Sequence, residues 1–184
     1  VTSEMRRNAK TINFGIIYGQ SAFGLAKQLN ISRTEAKEYI ELYFKQYPGI
    51  KSYMENTQDF ARRNGYVETI YGRRCYIPSI NDKNPMIRGG AERQAINAPL
   101  QGAAADIIKR SMKNFPEILI KEKIDAKLIL QVHDELIFEC ASIDLDRLIP
   151  IVKSKMINAP QPGFKMKVPL EVEIGIGDNW DEAH

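Results

Sequence analysis

Apolar residues recur three and four positions apart through the first sixty or so residues and then give way to short apolar runs bounded by turn residues. This pattern predicts helices over 5–18, 21–29, 33–46 and 49–63, followed by a hairpin near 66–78. Ser32 and Glu35 have the spacing of a capping box at the start of the third helix, and Pro48-Gly49 separates it from the fourth. Tyr39, Leu42, Tyr43, Phe44 and Tyr47 fall at helical spacing and are expected to pack into a core rather than to stack on bases. Gly72 stands where a tight turn needs a positive φ, leaving Arg73 and Arg74 near the hairpin tip. Residues 79–90 read as a polar loop, and 90–115 as a helix broken near Pro99. Strands are expected at 127–132 and 136–140, a helix at 144–158 and a strand at 168–175. The expected fold is α+β: a helical region with a basic hairpin over residues 1–90, then part of an antiparallel sheet with packed helices over 91–184.

Composition narrows this little, but the placement of charge adds to it. The 184 residues are 43% hydrophobic and contain no apolar run of membrane-spanning length, so a packed core and no membrane partner are expected. Cys75 and Cys140 fall in predicted strands without a paired framework, which favours buried thiols in a reducing, cytoplasmic setting. The net charge is only +3. Residues 1–113 carry 18 Lys and Arg against 10 Asp and Glu, a net +8, whereas 114–184 carry 8 against 13, a net −5. A basic first part suits phosphate contacts, and an acidic remainder suits a cation.

Candidate chemistry sits in two segments. Arg6, Lys10, Phe14 and Tyr18 recur every four residues. On a helix such a step advances roughly 6 Å, giving a slowly drifting stripe roughly 18 Å long, the scale of a nucleoside triphosphate. The cations lie toward the N-terminal end, where the helix dipole also favours anions, and the rings follow where a sugar and base would lie. An ordinary amphipathic helix has the same spacing. Gln131-Val132-His133-Asp134-Glu135 joins two apolar runs, so adjacent carboxylates project from a β bend, as a hard cation such as Mg²⁺ requires. A bend polar for turn chemistry alone reads identically. Arg93, Asn97 and Gln101 also fall four apart; carboxamides there can donate to minor-groove acceptors, and a solvated helical face would look the same.

Arg6-Arg7-Asn8-Ala9-Lys10-Thr11-Ile12-Asn13-Phe14-Gly15-Ile16-Ile17-Tyr18-Gly19 and Gln131-Val132-His133-Asp134-Glu135-Leu136 closely resemble two signature motifs of family A DNA polymerases. The resemblance continues through Tyr71-Gly72-Arg73-Arg74, Asn97-Ala98-Pro99-Leu100-Gln101-Gly102 and Gly175-Ile176-Gly177-Asp178-Asn179-Trp180. It implies that residues 1–90 are fingers and 91–184 the C-terminal part of the palm. Arg6 and Lys10 would hold the triphosphate of a deoxynucleotide, Phe14 would lie beside its sugar, and Tyr18 near the templating base. Asp134 would be a catalytic metal ligand, Glu135 its supporting carboxylate and His133 a contact near the primer end. Arg73, Arg74, Arg93, Asn97 and Gln101 would touch primer-template DNA. The implied reaction is two-Mg²⁺ phosphoryl transfer in DNA replication or repair.

The family also carries a catalytic aspartate in a motif reading roughly Asp-Tyr-Ser-Gln-Ile-Glu, and these 184 residues contain none. With Val1 only a few residues before the first motif, the expectation is a C-terminal piece of a polymerase, inactive without the rest of the parent chain. A single-subunit RNA polymerase uses a related helix and palm, and a non-catalytic DNA-binding module would also suit a piece of this kind. His133-Asp134 does not make an HD-type phosphohydrolase, because the one other histidine is His184.

Overall fold

The computed structural model describes residues 1–183 and resolves the chain into two compact units, residues 1–100 and 101 onward. The first unit begins with α1 (Ser3–Ile17), α2 (Ala22–Leu29), α3 (Arg33–Gln46) and α4 (Pro48–Asn64), all within two residues of the expected bounds. The start signals act as the sequence implied. Ser32 Oγ accepts from Glu35 N at 3.1 Å while the Glu35 carboxylate accepts from Ser32 N at 2.9 Å, completing the capping box of α3. Hydrogen bonding of the Glu35 carboxyl to the Ser32 backbone N–H, and next to the Ser32 side chain, holds it below its ordinary pKa.

Ile16 of α1, Leu25 and Ala26 of α2 and Ala36 of α3 are buried together, and Tyr43 and Phe44 pack against them. The Tyr43 hydroxyl also donates to Asn13 Oδ1 of α1 at 2.7 Å. The aromatic core expected on α3 is only partly realised, because Tyr39, Leu42 and Tyr47 are 45%, 61% and 50% exposed. A helix seated on one side buries a single stripe, and five positions within nine residues reach well beyond it.

After α4 comes the short hairpin of β1 (Tyr66–Glu68) and β2 (Arg74–Tyr76), with Val67 paired to Cys75 on its inner face. Val67 joins Ala61, Ile77, Ile80, Ala91 and Ala95 in a second core. Gly72 has φ +76°, as the tight turn demanded.

Helix α5 runs from Pro85 to Lys113, which corrects two expectations. The polar loop ends earlier than residue 90: Asn84 Oδ1 accepts from Met86 N at 2.9 Å, making Asn84 a cap with Pro85 in the first helical position. The helix is also unbroken at Pro99. Proline removes one i→i−4 bond, a loss that flanking turns in a helix of 29 residues can carry.

The second unit adds α6 (Phe115–Glu122), a stretch to which the sequence pattern assigns no element, then β3 (Ala126–Val132), β4 (Glu135–Cys140), α7 (Leu145–Ile157) and the short α8 (Trp180–Ala183). β3 and β4 form a two-stranded antiparallel sheet seated on α6 and α7. Phe115, fully buried, meets Phe138 edge to face at 5.0 Å, and Leu119, Leu148 and Val152 complete this core. The strand expected at 168–175 is absent; residues 168–177 have no regular structure. The alternation of Val168, Leu170, Val172 and Ile174 suits a strand, but a strand also needs a hydrogen-bonding neighbour, and neither described sheet extends to this segment. α+β remains the correct class, with less sheet than expected.

Candidate functional site

The α1 stripe forms as the spacing implied. Thr2 caps the helix, its hydroxyl accepting from Met5 N at 3.1 Å, and the far end closes at Tyr18 through Gly19 at φ +74°. Gln20 N donates to Gly15 O at 2.8 Å and Gly19 N to Ile16 O at 2.9 Å, the paired bonds of a Schellman motif. Gly19 is doubly constrained: besides its positive φ, an added Cβ would lie 3.2 Å from Arg93 Cγ and 3.4 Å from Ile96 Cδ1 of α5.

Phe14 and Tyr18 stack with centroids 5.9 Å apart, and Lys10 Nζ stands 6.0 Å from the Phe14 ring. Both rings are about two-fifths exposed, 44% and 40%, although the most favourable fate of a phenyl ring in a free-standing domain is burial. All three side chains line an open cavity of about 660 Å³ between α1 and α2, which Arg93 also reaches. Arg6 lines a smaller cavity of about 400 Å³ around the start of α1, and Lys10 and Arg7 are common to the two. Arg7, Gln20 and Gln28 were not among the sequence candidates. Arg7 could have been found as the neighbour of Arg6, whereas Gln20 and Gln28 come into place only because the chain folds back after Gly19.

Arg73 and Arg74 are exposed at the β1–β2 hairpin. Arg74 is already engaged: Nε lies 3.2 Å from Glu68 Oε1 across the strands, and its guanidinium covers Tyr66 at 4.6 Å. Arg93, Asn97 and Gln101 all lie on α5, Arg93 and Gln101 exposed and Asn97 half-buried. Asn97 Oδ1 is buried without a hydrogen-bond partner.

His133, Asp134 and Glu135 occupy the end of the β3–β4 hairpin. Val132 pairs with Glu135, so His133-Asp134 is a two-residue turn, with His133 at φ +51°. Gln131 Nε2 donates to His133 O at 2.6 Å and braces it. A bulge at Ile129 puts Leu130 opposite Ile137, so Leu130 leaves the packed face that holds Leu128 and Phe138. Glu135, two residues before Ile137, shares this outward face. The base of the hairpin is clamped by Asp144, which accepts from Asp125 N at 2.9 Å and pairs with Arg147 at 2.7 Å, while Arg147 also donates to Glu122 O. Burial, with Asp144 and Asp125 nearby, raises the pKa of the Cys140 thiol; both cysteines are free.

The Asp134 and Glu135 carboxylates fit Mg²⁺ in kind, as hard oxygen donors. They do not fit in number: among the described residues no group of three or more His, Cys, Asp or Glu is placed to hold a metal.

The first unit thus carries a helix with cations followed by stacked rings beside an open cavity, and the second unit carries a β hairpin with carboxylates at its tip. Residues 1–182 match the sequence profile of DNA polymerase family A, and the chain belongs to that family. It is 52% identical over 183 residues to DNA polymerase I of Rhizobium leguminosarum, covering 98% of this chain and 18% of that protein. With DNA polymerase I of Pseudomonas aeruginosa the identity is 50%, covering 100% and 20%. The chain thus spans about a fifth of the length of these curated relatives. The POL domain of Pol1 from M. smegmatis, solved in complex with DNA primer-template and dNTP, superposes with a TM-score of 0.93 at 44% identity, covering 100% of this chain and 32% of that one.

Proposed function

We propose that the chain supplies the deoxynucleotide-binding helix and part of the metal-binding sheet of a DNA-directed DNA polymerase, with residues 1–90 in its fingers and 91–184 in its palm. The single observation that carries this reading is the continuous run of Lys10, Phe14 and Tyr18 along one open cavity, with Arg6 in the adjoining one, in a chain of this family. Arg6 and Lys10 hold the triphosphate where the N-terminal dipole of α1 adds to their charge. Phe14 lies along the sugar, and Tyr18 fills the space beside the templating base. Asn97 and Gln101 donate to minor-groove acceptors of primer-template DNA; Arg73 and Arg93 take phosphates, with Arg74 held in reserve by Glu68. His133 sits near the primer end.

Asp134 and Glu135 would hold Mg²⁺ together with a carboxylate from elsewhere in the polymerase. Bound in pairs, such ions stabilise the attacking and leaving oxygens of phosphoryl transfer. The chain's own contribution is to aim the two carboxylates from a braced turn. Replication or repair in the cytoplasm is the setting that follows. An RNA polymerase or a non-catalytic DNA-binding module is not favoured by any feature of the site.

Single-turnover extension of a primed DNA template by the full-length polymerase tests the reading. Asp134→Asn keeps the shape of the side chain but replaces a Mg²⁺ ligand with a poor one, so the chemical step should fall by orders of magnitude while DNA affinity holds. Near-normal extension would remove Asp134 from the site.

A further inference from the structure

Gln20 lies immediately beyond α1, half-buried, and belongs to neither the stripe nor the hydrophobic core. Its backbone closes the Schellman motif, which turns its side chain back along α1 onto Gly15. The same side chain reaches α2. A Cβ added at Gly24 would lie 2.9 Å from Gln20 Cγ and 3.1 Å from Nε2, and one added at Gly15 would collide with the Gln20 carboxamide oxygen. The two glycines therefore form a slot, one wall from each helix, that the Gln20 side chain occupies. At its end, Gln20 Nε2 donates to Gln28 Oε1 at 3.1 Å, fastening the residue to the last turn of α2. Both carboxamides line the cavity that Phe14 and Tyr18 line.

We infer that Gln20 is a positioning residue whose bond to Gln28 latches α1 to α2 and so fixes Lys10, Phe14 and Tyr18 against the nucleotide. Leu25 and Ile16 hold the two helices together below through non-directional apolar contacts, and the Tyr43–Asn13 bond ties α1 to α3, so neither sets the rotation of α1 against α2 at the cavity wall. A directional bond at the cavity wall fixes that rotation. It also explains why both slot positions are glycine: any side chain there displaces the latch.

This inference rests on the polymerase reading, and the experiment separates them. In the full-length polymerase, Gln20→Met fills the slot without the hydrogen bond, and Gln28→Ala removes the acceptor while leaving Gln20 in place. Each should raise the half-saturating concentration of a matched deoxynucleotide by about two- to ten-fold, the span of one lost hydrogen bond. The change should fall on half-saturation rather than on maximal rate or primer-template affinity. The double variant should be no worse than either single, because both break the same bond. Unchanged half-saturation, additive losses, or an effect confined to the maximal rate would overturn the latch while leaving the polymerase reading in place. Absence of templated incorporation by the unsubstituted protein would instead remove that reading, and the latch with it.

Discussion

Phe14 is the residue whose chemistry makes the sharpest claim. Its ring is open to the cavity and stacked on Tyr18, and it has no polar atom to offer a ligand. A dideoxynucleotide lacks the 3′ hydroxyl that can hydrogen-bond within the bound triphosphate, and a phenyl ring cannot replace it. The polymerase should therefore discriminate against chain terminators. Phe14→Tyr adds a donor, and a hydrogen bond to a charged phosphate contributes roughly 1.5–3 kcal/mol, so discrimination should drop by about ten-fold to over a hundred-fold. The ratio of incorporation efficiencies for matched deoxy and dideoxy substrates measures this; an unchanged ratio would place Phe14 away from the sugar. The stripe was legible because helical spacing depends on sequence separation alone. Gln20 was not, since its place depends on a reversal after Gly19 and on the two missing Cβ atoms at Gly15 and Gly24. Nor was the engagement of Arg74 by Glu68 and Tyr66, which requires the strand register.

Among the elements, α1 to α4 and the strands of both hairpins were read closely, whereas the start of α5, the separate α6 and the fate of 168–175 were not. α3 follows from Ser32 and Glu35, which act within one turn. The bulge at Ile129, by contrast, breaks the alternation that would have placed Leu130 in the core with Leu128, and Leu130 is 48% exposed. The strand expected at 168–175 failed for a related reason, because alternation gives a segment the faces of a strand without giving it a neighbour. The capping box yields a prediction of its own. Ser32→Ala should destabilise the helical unit by about 0.5–2 kcal/mol in urea unfolding of the 184-residue chain. Because the folded pKa of Glu35 is lowered, its share of the cap is complete above the ordinary value of 4.5 and is lost as pH falls through the lowered one. Glu35→Gln should thus cost more near neutral pH than in acid. Equal effects at both would mean that the carboxylate charge contributes nothing to the cap.

For the whole molecule, the sequence separates charge as its proposed tasks require, +8 over residues 1–113 and −5 over 114–184. The carboxylates at the tip of the β3–β4 hairpin are nevertheless too few for a complete metal site among the described residues. Purified residues 1–184 should therefore fail to extend a primed template, whereas the full-length polymerase should extend it. Steady templated extension by the 184-residue chain, with contaminating polymerase excluded, would show that it carries a complete centre.

The central claim is that α1 grips the nucleotide rather than the DNA, and Lys10 tests it most directly because it alone of the α1 stripe lines both cavities. The measurement compares Lys10→Ala with the unsubstituted full-length polymerase for two quantities: the half-saturating deoxynucleotide concentration in single-turnover extension and the dissociation constant for primer-template DNA. Loss of a charge-assisted bond to phosphate, roughly 1.5–3 kcal/mol, should raise the first by about ten-fold to over a hundred-fold and leave the second nearly unchanged. A weakened grip on DNA with undiminished nucleotide binding would contradict the account, making Lys10 a DNA-backbone contact and α1 a DNA-binding helix.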